Sequence, residues 1–140
     1  MHKQSFSESI AFITIFGFAV FSFIRAFFWT IEQNRVVSDS EFYMKLHEIM
    51  PIWIWGILLM IGSISLMVSA FFLPRHPYNK LCGIFLCCGG FICAIMYFLM
   101  TSASIFNAIN WLTWVQFAVL TVICGALGFV GGANLYERRK

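Results

Sequence analysis

Apolar and polar positions fall along this chain in long blocks rather than alternating residue by residue. Four runs, Ser9 to Ile31, Ile52 to Leu73, Leu81 to Met100 and Trp111 to Ala133, are apolar on every face. Hydrocarbon about 30 Å thick takes roughly 20 helical residues at about 1.5 Å each, so every run is long enough to cross it. The runs lack the in-out alternation of a membrane barrel. Backbone groups in lipid also have to pair within their own segment, which leaves helices. The pattern predicts an all-α polytopic membrane protein, a single bundle of four transmembrane helices over residues 1–140. A cleaved signal peptide is the rival reading of the first run. Lys3 supplies a weak basic start, but the apolar stretch exceeds an h-region and no small-x-small site follows it, so the segment is expected to be permanent.

The first loop is the one extramembrane stretch long enough to have structure. Ser38 followed by Glu41 fits a capping box, and Phe42, Leu46 and Ile49 recur at i, i+4 and i+7 with Lys45, His47 and Glu48 on other faces. The spacing predicts a short amphipathic helix over 40–50 at the outer interface, separated from the second span by Pro51. His47 with Glu41 and Glu48 suggests a metal or acid-base site only on paper. With no second histidine nearby, these residues read as the wet face of a short helix.

Composition sharpens this picture. Hydrophobic residues make up 61% and charged residues 11%, far from a soluble domain, and 17 phenylalanines exclude a disordered chain. The net charge of +3 is spread over chain ends and loops, without the continuous patch that nucleic acid requires. Lys3, Arg75, Lys80, Arg138, Arg139 and Lys140 all fall on one side of a four-span chain. The other side has Arg35 and Lys45 against Glu32, Asp39, Glu41 and Glu48, and an uncharged second loop, Thr101 to Asn110. The positive-inside rule then puts both termini in the cytoplasm of a bacterial cytoplasmic membrane. All five tryptophans, Trp29, Trp53, Trp55, Trp111 and Trp114, fall at the opposite ends of the spans as an outer aromatic belt, which Tyr97 joins, while Tyr78 and Tyr136 mark the inner side.

Candidate chemistry inside the spans is sparse. On the first helix Ser7, Thr14, Arg25 and Glu32 share a narrow stripe at about 100° per residue, with Ser22 on its flank, and this polar side is expected to face the bundle. Arg25 is the one charge within a span. It either anchors at the outer interface, pairs with Glu32, Glu48, Gln116 or Asn110, or serves a pathway. Gly62, Ser65 and Ser69 on the second helix and Gly125, Gly128 and Gly132 on the fourth form small-residue faces for helix packing, Gly128 and Gly132 in a GxxxG pattern. Arg75, His76 and Lys80 lie in a stiff turn with two prolines and could touch anionic headgroups, though they read first as determinants of topology. Cys82, Cys87, Cys88, Cys93 and Cys124 lie within spans and lack zinc-like spacing, so they read as small packing residues. No cofactor or catalytic set is implied.

Known four-helix families test these residues further. Small multidrug transporters place a carboxylate inside the first helix, where this chain has Thr14, and quinone-linked disulfide oxidases have cysteines in outer loops, which this chain lacks. The stretch Met50-Pro51-Ile52-Trp53-Ile54-Trp55-Gly56 leading to Gly62, together with the overall plan, resembles a loose group of small membrane proteins of Gram-positive bacteria and their phages. That resemblance implies a phage-related membrane role without enzymatic activity, a holin-like pore or the exclusion of competing phage. Its partners would be the lipid bilayer and either a second copy or another membrane protein. The alternative is a small transporter or transporter subunit with a polar pocket between Arg25 and Gln116.

Overall fold

The computed structural model describes residues 6–39, 41–73, 80–107 and 111–137, and all of its regular structure is helical. The elements are α1 (Phe6–Ile31), α2 (Gln33–Asp39), α3 (Glu41–Ile49), α4 (Ile52–Phe72), α5 (Leu81–Asn107) and α6 (Trp111–Glu137). Four of them, α1, α4, α5 and α6, are long and apolar enough to cross a membrane. Lys3, Ser40, Arg75, His76, Tyr78, Asn110 and the basic tail, on which parts of the sequence reading rest, lie outside the described residues.

The long helices form a bundle whose backbones approach most closely along α1–α4, α4–α5 and α5–α6, each pair antiparallel, while α1 reaches α5 and α6 through side chains without a comparable backbone approach. Aromatic rings and small residues fix each seam. Phe71 of α4 meets Phe12 and Phe16 of α1 edge-on, at 5.9 and 5.5 Å between centroids. On the α4/α5 seam a Cβ on Gly62 would fall 2.7 Å from Cys93 Sγ, and Ser69 Oγ donates to the Cys82 carbonyl at 3.1 Å. The α5/α6 seam is the closest. A Cβ on Gly90 would meet Gly128 Cα at 2.6 Å, and one on Gly131 would meet Cys87 N at 2.5 Å, so backbone lies where side chains would otherwise stand.

Several boundaries and faces differ from those read in the sequence. Helix α5 continues past Met100 to Asn107, because Thr101, Ser102 and Ser104 turn their hydroxyls back onto the carbonyls of Tyr97, Phe98 and Thr101 and so join the helix instead of ending it. The capping box at Ser38 does not form. Residues 33–39 make the additional helix α2, in which Ser38 Oγ donates to the Arg35 carbonyl. The short helix α3 does form, but it buries Phe42 and Leu46 and leaves Ile49 73% exposed. Because α3 stops at Ile49, that residue lies beyond the turn that touches the long helices.

The five tryptophans do share one end of the molecule, yet they are not one wet belt. Trp29 and Trp55 are 1% and 5% exposed, and Trp55 Nε1 donates to the Met50 carbonyl at 2.9 Å. Trp53, Trp111 and Trp114 face outward. Tyr97 is no belt residue either: it is fully buried mid-helix, where its hydroxyl meets Ser22 Oγ at 2.9 Å.

Candidate functional site

The buried face of α1 is Ile15, Ala19, Ser22, Ala26 and Trp29, a heptad-like spacing that seats it on its neighbours. The polar stripe of Ser7, Thr14, Arg25 and Glu32 lies roughly 90° around the helix from that face. It therefore does not point into the core as expected: Ser7 and Thr14 are exposed, and the flanking Ser22 is the hydroxyl that is fully buried. The stripe points instead toward the loosely packed seam where α1 faces α6.

Arg25 occupies that seam. Its guanidinium carbon lies 5.2 Å from the ring centroids of Phe21, one turn earlier on α1, and Phe117 on α6. The side chain thus leans toward the helix N-terminus, as helical side chains do, and away from the tryptophan end. Its Nη1 is buried and has no hydrogen-bond partner. None of the pairings considered for Arg25 forms among the described residues. Glu32, at the junction of α1 and α2, pairs with Arg35 Nε at 3.3 Å, and Glu48 pairs with Lys45 Nζ on α3 at 2.9 Å, each three residues away in sequence. Glu32 is consequently not part of the site.

Gln116 shares a cleft with Arg25. A cavity of about 480 Å³ between α1 and α6 is lined by Phe21, Arg25, Val115, Gln116, Val119 and Leu120. Phe21, Gln116 and Val119 are exposed on its rim, so it opens sideways. Behind Arg25, Phe117 stacks on Tyr97 at 6.3 Å and on Phe42 of α3 at 5.8 Å. The short helix is thereby tied to α6 through Phe42. A second cavity of about 330 Å³ lies in the other half of the seam between α1 and α6, with Glu8 and Asn134 among its lining and an apolar floor that includes Leu86.

The remaining candidates separate into packing and surface. Gly62, Ser65 and Ser69 all face α5, where a Cβ on Gly89 would fall 2.9 Å from Ser65 Cβ, while Ser65 Oγ turns back to the Ile61 carbonyl. On α6, Gly128 packs against Phe91, but Gly125 has open space beside it and Gly132 only loose contact with Cys87. The close face of α6 is Cys124, Gly128 and Gly131, and its partners Gly83 and Gly90 on α5 went unnoticed in the sequence. Their seven-residue spacing was the available signal. The five cysteines are free thiols, with Cys82, Cys93 and Cys124 buried. His47 Nδ1 accepts the backbone N–H of Ile52 at 3.2 Å, capping the start of α4 across Pro51.

At the site the chain therefore places a cation, an amide and aromatic walls in one lateral opening. No protein-family model, curated protein or solved structure matches the chain, so the reading of this cleft rests on its own residues.

Proposed function

We propose that this chain is a small integral protein of a bacterial cytoplasmic membrane, with both termini cytoplasmic and without enzymatic activity, that binds an anionic ligand in the α1/α6 cleft as a transporter or transporter subunit. The observation that carries the reading is the buried Arg25 Nη1, left without a partner beside Gln116 in a lateral cavity. A charge in hydrocarbon costs about 2.5 to 3.5 kcal/mol on insertion scales, and two desolvated cation–π contacts of up to about 2 kcal/mol each offset a similar amount. Those contacts act on the charge. They leave the N–H groups unmet, at about 1 to 3 kcal/mol for a buried donor, and an oxyanion is the ligand that meets them. The test is anion flux in proteoliposomes: Arg25→Leu is expected to abolish uptake or efflux while membrane abundance stays unchanged, and equal flux would overturn the reading.

A phage-related effector role, holin-like or excluding competing phage, is the second proposal. It is favoured by the broad apolar outer surfaces of α1 and α6, including Ile13, Ile24, Val122 and Phe129, which suit self-association in a membrane. Controlled expression tests it, and accumulation in membranes with neither depolarisation nor altered phage infection would sink it.

A further inference from the structure

We infer that the ligand of the α1/α6 cleft is a long-chain carboxylate, entering sideways from the bilayer with its carboxylate on Arg25 and its chain along the seam; this rests on the anion-binding reading above and names its substrate class.

Three features of the cleft select that class. The first is the polar inventory. Apart from Arg25 and Gln116 the lining is Phe21, Val115, Val119 and Leu120, so the cleft offers partners for one compact oxyanion and little else. A guanidinium fork matches the two oxygens of a carboxylate. A glycerophospholipid would bring ester and glycerol oxygens into the same apolar space without partners.

The second feature is the direction of entry. Phe21, Gln116 and Val119 are exposed where the cleft opens sideways between α1 and α6, and an amphiphile already in the bilayer arrives at that open side. Phe21, whose ring lies against the guanidinium, is 47% exposed at that opening.

The third is room for a chain. From Phe21 to Ile15 on α1, and from Leu120 to Leu127 on α6, the second cavity begins about 9 to 10 Å further along the same seam by helical rise. Ile15, Leu86, Leu127 and Val130 give it apolar walls, and Glu8 and Asn134 are its polar lining residues. No backbone contact of α1 with α6 comparable to the other seams stands between the two cavities. An alkyl tail that follows the seam is buried by both helices.

The experiment uses the full chain in phosphatidylcholine nanodiscs with radiolabelled oleate as probe, and methyl oleate, phosphatidylglycerol and acetate as competitors. Saturable binding of one oleate per chain is expected, displaced by unlabelled oleate and not by the three competitors. Arg25→Gln should weaken it at least tenfold, Gln116→Leu a few-fold, and Arg25→Lys less than Arg25→Gln. The competitor arms need no variant, so the inference stays testable if Arg25→Gln fails to fold. Equal competition by methyl oleate would overturn it by showing that the chain alone is recognised. Equal competition by phosphatidylglycerol or acetate would replace the carboxylate amphiphile with a lipid headgroup or a small anion, yet leave the anion-binding reading standing. Binding indifferent to Arg25→Gln in a folded variant would overturn both.

Discussion

Arg25 shows how a cation is kept in an apolar setting without a counter-ion. Phe21 and Phe117 flank its guanidinium at equal distance, and Nη1 is left unsatisfied. Removing a buried, unpaired donor is often neutral or stabilising. Arg25→Met is therefore expected to leave resistance to unfolding by dodecyl sulfate unchanged or raised while ligand binding is lost. A residue kept for packing alone would give the opposite, a loss of resistance. The neighbouring Ser22–Tyr97 contact is the structural counterpart. Ser22→Ala and Tyr97→Phe in a double-mutant cycle should show a coupling of about 0.6 to 1.7 kcal/mol, the range for hydrogen bonds between membrane helices. That hydroxyl pair escaped sequence reasoning because Tyr97 lies outside α1 and Ser22 sits off the polar stripe. Only the packing of α1 against α5 brings the two together.

At the scale of the elements, the four long helices were legible because length and apolar content alone decide them, whereas which glycines touch was not. Gly128 and Gly132 form the sequence motif, but the α5/α6 crossing places Gly131 rather than Gly132 against Cys87 N. Rotation about the helix axis decides this, and one helix's pattern does not specify it. Gly131→Ala forces backbone apart and is expected to destabilise by about 1 to 3 kcal/mol. Gly125→Ala, with nothing within 4 Å, should stay within about 0.5 kcal/mol. Comparing the two by thermal unfolding in detergent checks the assignment. The short helices were half legible. The spacing of Phe42 and Leu46 identified α3, but α2 carries no apolar stripe of its own and forms as a continuation of α1, with Val36 N bonded to the Glu32 carbonyl at 3.0 Å. His47, read as a surface residue, joins α3 to α4 through Ile52 N–H. His47→Ala should lower stability by about 0.5 to 2 kcal/mol, as loss of a helix cap does.

For the whole molecule, antiparallel order puts all the tryptophans, α2 and α3 at one end and the α4/α5 turn at the other. If the positive-inside expectation from the sequence holds, a C-terminal fluorescent-protein fusion should fluoresce and a C-terminal alkaline phosphatase fusion should be inactive. The reverse result would invert the topology. Which helices neighbour each other could be guessed from short connections. That the α1/α6 seam is looser than the others could not, because nothing in the chain's periodicity sets how closely each pair of helices approaches. The cleft at Arg25 is a product of that looser seam.

Chain order also separates the two halves of the aromatic shield. Helix α1 is synthesised before α6, so Arg25 exists well before Phe117 is available to cover it. Phe21 is on the same helix, one turn away, and travels with the guanidinium from the outset. One half of the aromatic shield is thus built into the helix that carries the charge, and the other arrives only with α6.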